Sequence, residues 1–311
     1  MHPWPLGKRT LQIWPALIAL LAAAILPVMM RAQTPAPAYI GAAPSPHITL
    51  DSDLDAGFKQ LYELKFDSAR DKFVDWERHH PAEPLGPALA AAADLFEEFY
   101  RQGILTSDFF LDDRRFLGGI TGKPDADLET RFLSAATRAE DQAHARLAAR
   151  PHDPDALFAL TLTAGMRADN ATLIEKKQFE GLHFLREGER AARDLLAVAP
   201  DTEDAYLALG AANYIIGCMP GYKRAVLWLG GVHGDKILGM QQVAWAASHG
   251  HYLRPYAKLL LALAALREQN PSLARSEFSE LAAEFPTNPL FAMELAKTTP
   301  VLTRDPASNT R

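Results

Sequence analysis

The sequence predicts an all-α fold in which antiparallel helix hairpins stack in a row. Three observations predict it. Apolar residues recur at spacings of three and four through almost the whole chain, among abundant Ala, Leu, Glu and Arg. No stretch shows sustained strand-like alternation. Four prolines, Pro81, Pro151, Pro200 and Pro286, follow helical segments and share one register of neighbours.

The periodicity predicts helices over roughly 53–64, 67–79, 85–102, 125–149, 154–167, 172–198, 202–216, 222–229, 235–248, 252–269, 271–284 and 289–297. The short breaks between them imply antiparallel neighbours. Ile104 to Pro124 fits no hairpin and reads as a long connection.

The register around the prolines is informative. Twelve residues before them stand Ala69, Ala139, Gly188 and Ala274, and eight before them Phe73, Ala143, Ala192 and Phe278. Ten residues after them stand Ala91, Thr161, Gly210 and Ala296, and nine after them Ala90, Leu160, Leu209 and Leu295. Small residues suit close helix crossings, an aromatic fills the gap beside the crossing, and a proline ends the second helix.

This pattern resembles the tetratricopeptide repeat, a helix–turn–helix unit marked by W-x2-L-G-x2-Y, then A-x3-F, then P. Ala69, Phe73 and Pro81 match the second half, as do Ala274, Phe278 and Pro286. Tyr206, Leu209 and Gly210 match the first half, with Tyr in place of Trp and Asn213 in place of Tyr. The resemblance implies a right-handed superhelical solenoid. A single hairpin cannot bury its own apolar face, so neighbours must lean together. The prolines lie 70, 49 and 86 residues apart, so the repeats are degenerate.

The ends of the chain carry other signals. Residues 1–32 read as a signal segment, with Lys8 and Arg9 preceding the apolar run from Leu11 to Val28. The alternative is an uncleaved inner-membrane anchor over 11–28. Residues 33–50 hold four prolines and read as an Ala/Pro-rich linker, 51–297 as the repeat domain, and 298–311 as a disordered tail. Without residues 1–32 the balance is 29 basic against 38 acidic side chains. That acidity argues against a general nucleic-acid binder, and no polybasic cluster is present to hold an anionic membrane. Cys218 is the single cysteine and cannot form an internal disulfide.

Residues 217–239 contain six glycines, Gly217, Gly221, Gly230, Gly231, Gly234 and Gly239. The Gly234-Asp235 step before a helix is similar to one in the Iml2-like branch of the tetratricopeptide proteins, which is linked to lipid-droplet and inclusion clearance. The P-loop pattern is not met. The plain reading is a tight turn at Gly230, Gly231 and Gly234, with Asp235 capping the next helix.

Motifs for chemistry are missing. H-E-x-x-H, G-x-S-x-G and C-x-x-C-H are all absent. His79-His80 and His249-Gly250-His251 fall at helix ends, where the terminal dipole attracts them. Asn170-Ala171-Thr172 is a glycosylation sequon. No catalytic residue, cofactor or metal is expected. The expected function is a periplasmic or secreted, non-catalytic scaffold for a protein or peptide partner. The inner-face positions implied by the resemblance offer Phe158, Asp204, Tyr214, Tyr256 and Arg267 as contacts, alongside Leu162, Leu207, Ala211, Leu259 and Leu263. The alternatives are an enzyme with a site around 217–239 and His233, and a membrane-tethered assembly factor.

Overall fold

A computed structural model describes residues 47–229 and 233–298. The signal segment, the linker up to residue 46, residues 230–232 with Gly230 and Gly231, and the tail from 299 lie outside the described residues. Among the described residues the structure is helical, with no strand.

The hairpins run in chain order: α1 (Ser52–Tyr62) with α2 (Phe66–His79), then α3 (Leu85–Arg101) with α6 (Ala126–Ala149). The next pairs are α7 (Pro154–Asp169) with α8 (Gln178–Val198), and α9 (Ala205–Cys218) with α11 (Lys236–His249). α12 (Arg254–Arg267) pairs with α13 (Pro271–Glu284), and α14 (Pro289–Lys297) closes the row. Each helix packs on the next long one, as a helical solenoid requires. Three short elements interrupt the row: α4 (Ser107–Leu111), α5 (Asp113–Gly118) and α10 (Gly221–Leu229).

The prolines act as the sequence predicts. Helices α2, α6, α8 and α13 end at His79, Ala149, Val198 and Glu284, each two residues before its proline. The intervening residues, His80, Arg150, Ala199 and Phe285, share one non-helical conformation, with φ of −129°, −139°, −134° and −123° and ψ of 60°, 86°, 76° and 66°. A proline ring clashes with a helical preceding residue, so that residue leaves the helix and the chain turns.

The small positions do what their size allows. Ala69, Ala139 and Ala274 are fully buried, and Gly188 is buried against Ala164. Phe73 and Phe278 fill the space beside two of these crossings, also with no exposure. Ala296 is exposed, because no further helix follows α14 among the described residues to cover it.

The glycine-rich region has two explanations. Asp235 caps α11, its side chain accepting from the N–H groups of Ile237 and Leu238. Gly210 and Gly239 let α9 and α11 touch backbone to backbone. A Cβ on Gly239 would lie 2.5 Å from the Tyr214 nitrogen, and one on Gly210 would lie 2.7 Å from the Val243 nitrogen. Gly234 likewise clears Ile216 and the backbone of Gly217 and does not adopt a positive φ, so close approach explains it better than a tight turn.

Two expectations need correction. The connection over 104–124 is not featureless: Thr106 and Asp112 cap the short helices α4 and α5. The helix expected over 172–198 is broken. A single π-turn, Asn170–Ile174, extends α7, and Lys176 (φ 60°) then separates it from α8. The sequon asparagine, Asn170, is buried there and hydrogen-bonded to Glu175, so it is not presented for glycosylation.

The row curves until its first hairpin meets its last ones. The Tyr252 ring stacks on Phe58 of α1 at 4.7 Å. Its hydroxyl accepts from the Asp51 N–H and donates to the Thr49 carbonyl, while its own carbonyl accepts from the Tyr62 hydroxyl. Asn288, ahead of α14, donates to the Tyr62 carbonyl at 2.7 Å. No helix among the described residues is long and apolar enough to cross a membrane.

Candidate functional site

The inward faces of the first helix of each hairpin enclose an apolar cavity of about 230 Å³. Its wall follows helical spacing. α7 contributes Leu162, Gly165 and Asp169, α9 contributes Ala208, Ala211 and Ile215, and α12 contributes Tyr256, Leu260 and Ala264. Within each set, successive members stand three or four residues apart, a stripe on one helix face. α3 adds Phe96 and Phe99, and α8 adds Leu182 and Leu185.

The segment between α3 and α6 forms part of the same wall, through Ile104, Leu105, Phe109, Phe110 and Phe116. It is tied to the far end of the row. Arg267 of α12 donates to the Phe110 carbonyl at 2.6 Å, pairs with Asp113, and lies 4.4 Å from the Phe116 ring centre. Lys297 of α14 pairs with Asp108 at 2.9 Å.

Two polar groups open into this space without a partner. Asp169, at the end of α7, is half-buried, borders the cavity, and has no hydrogen bond to its carboxylate among the described residues. Burial alone pushes its carboxyl from 3.8 up to about 7. The Tyr256 hydroxyl also lacks a partner there, and its pKa is driven upward by burial first and by the Asp169 charge second. The Tyr256 ring meets Phe96 edge-on at 4.8 Å. Asp169 and Tyr256 are both half-buried, so each polar group gives up part of its hydration without gaining a protein partner among the described residues. Gly165 adds room beside them, since a Cβ built there meets nothing within 4 Å.

The candidate contact residues take different places. Tyr256, Tyr214 and Asp204 border the cavity, as do Leu162, Leu207 and Ala211. Asp204 is buried and already engaged, accepting the N–H groups of Tyr252 and Leu253 at 3.0 Å each. The Tyr214 hydroxyl is held by Glu268 at 3.1 Å. Phe158 is buried in the core beside Tyr252. Arg267 holds the 104–124 segment. Asp169 was missed by sequence reasoning. The signal for it was present: it continues the stripe from Phe158 and Leu162 by helical steps, as an acid where apolar residues belong.

The other chemical candidates are accounted for locally. His79, His80 and His249 contact the carbonyls of Asp75, Trp76 and Trp245, each four residues back in its own last turn. His251 pairs with Asp55 at 2.7 Å. His233 is exposed, 6.4 Å from the Trp228 ring. No cluster of three metal-binding side chains occurs among the described residues. Cys218 is half-buried, and burial raises its thiol pKa, which keeps it in the weakly nucleophilic form.

No protein-family model matches the chain, and no curated protein matches it.

Proposed function

We propose that this chain is an exported, non-catalytic binding protein of tetratricopeptide type, whose right-handed stack of hairpins holds an apolar guest in its interior. The observation that carries the reading is the cavity itself. Its wall is built from the inward stripes of successive hairpins, the surface that repeat proteins of this kind use for recognition. An engineered apolar cavity of about 150 Å³ already takes up benzene, and the space in this protein is larger. Pockets that bind organic ligands are mostly apolar with a few placed polar groups, which describes this one. Export rests on the apolar segment over 11–28.

The test is a titration of the mature protein with N-phenyl-1-naphthylamine, a neutral dye that brightens in apolar surroundings. Wild type brightens it saturably, and Gly165→Phe, which fills open space, abolishes most of the signal. An equal signal from the variant removes the cavity from consideration.

A second reading, docking of a protein or peptide partner on the outer surface, is favoured by one observation. Tyr222, Trp228 and Ile237, on α10 and at the start of α11, are 71%, 62% and 72% exposed. The three lie within sixteen residues of one another in sequence, and contiguous exposed apolar surface is what interaction sites offer. Trp228→Ala then releases a partner captured from envelope extract, while Gly165→Phe does not.

A further inference from the structure

We infer that the guest is an amphiphilic amine, its ammonium head set against Asp169 and the aromatic faces of Phe96 and Tyr256, and its hydrocarbon body along α7, α9 and α12. This rests on the interior cavity being the binding site and names the class of ligand.

Charge complementarity points to a cation. Among the described residues lining the cavity there is no lysine, arginine or histidine, whereas Asp169, Glu189 and Asp204 are acidic. A carboxylate or phosphate head would enter an apolar space with no cation to meet it. An ammonium head would meet a carboxylate.

The hydrogen-bond partners of the three acids single out one of them. Asp204 is saturated by two backbone N–H groups, and Glu189 is engaged by Arg193. Asp169 alone of the three has no hydrogen-bond donor among the described residues. Three N–H groups of a primary ammonium can satisfy its carboxylate and the Tyr256 hydroxyl together. Such a charge-assisted hydrogen bond is stronger than one between neutral groups.

The aromatic surroundings favour the same head group. Phe96 and Tyr256 stand edge to face at 4.8 Å on the cavity wall. Their ring faces attract a cation and remain indifferent to a neutral head. The raised carboxyl pKa is consistent with this arrangement, because a cation entering beside Asp169 would restore its charged form.

The experiment is calorimetric titration of the full mature chain at pH 7 with dodecylamine, dodecanol and dodecanoate, each below its micellar concentration. Wild type should bind the amine at least about tenfold more tightly than the alcohol, with the carboxylate weakest. Asp169→Asn, which keeps the shape, should bring the amine down to the level of the alcohol and leave the alcohol unchanged. Tyr256→Phe should weaken the amine by a smaller factor. Glu189→Gln should keep the preference. If the amine advantage survives in Asp169→Asn, or if dodecanoate binds as tightly as the amine, the inference is overturned while the cavity reading stands. If none of the three amphiphiles binds, both fall.

Discussion

Asp169 and Tyr256, on helices far apart in sequence, turn an unpaired carboxyl and an unpaired hydroxyl into one apolar cavity. Neither group contributes to holding the fold. Both are half-buried with no partner among the described residues, and a guest that hydrogen-bonds to them would supply one.

The cost of Asp169 depends on pH. Its carboxyl titrates at 3.8 when unfolded and near 7 when buried. Between those values the folded chain holds a proton that the unfolded chain has lost. Stability therefore falls as pH rises through this window and levels off above it. At about 1.4 kcal/mol per pH unit, the loss approaches about 4 kcal/mol. Asp169→Asn should remove the slope, making the variant more stable than wild type at pH 8 and similar at pH 4. Urea unfolding at the two pH values checks this. A variant less stable at pH 8 would show that Asp169 has a partner after all.

Asp204 is the contrasting acid. Its carboxylate caps the turn that delivers Tyr252 to Phe58 and Phe158. Asp204→Ala would orphan two N–H groups, at about 1–3 kcal/mol each. The variant should lose about 2–6 kcal/mol, read from the midpoint of thermal or urea unfolding. It should also loosen the contact between the first and later hairpins, visible as faster amide exchange over 49–62.

Two glycines predict opposite outcomes for the same change. Gly239→Ala forces a Cβ to 2.5 Å from the Tyr214 nitrogen, in a backbone-to-backbone crossing. Overpacking of that kind costs about 1–3 kcal/mol. Gly165→Ala adds a methyl to open space inside α7. It should stabilise by about 0.5–1 kcal/mol through helix propensity. Thermal unfolding of the two variants side by side decides the matter.

Much of the fold was legible from the four prolines and their small neighbours. These features act locally, and a proline excludes the helical conformation from the residue before it wherever it stands. The 104–124 segment was less legible because α4 and α5 are too short to show periodicity. Their caps, Thr106 and Asp112, were the available signal. The break at Lys176 was hidden for another reason. Its positive φ sits inside a stretch whose apolar spacing reads as continuous helix. The site was half legible. The inward stripe gave Tyr256, Leu162, Leu207 and Ala211, but Asp204 and Arg267 on neighbouring positions are tied to backbone groups that only the three-dimensional arrangement brings near.

Arg267 fastens the 104–124 segment through the Phe110 carbonyl, the Asp113 carboxylate and the Phe116 ring. Arg267→Ala removes all three contacts and should cost about 2 kcal/mol. Limited proteolysis should then cut first between Thr106 and Gly118, opening the cavity wall. Unchanged protease resistance there would show that the segment is held by its buried phenylalanines alone.

Everything proposed for this protein turns on whether the interior or the outer face receives the guest. Methyl-resolved nuclear magnetic resonance during titration with dodecylamine tests it most directly. Binding in the interior predicts saturable shifts at Leu162, Ala211, Ile215 and Met240, with Ile237 unmoved. Shifts confined to Ile237 and its exposed neighbours, with the interior methyls silent, would contradict it.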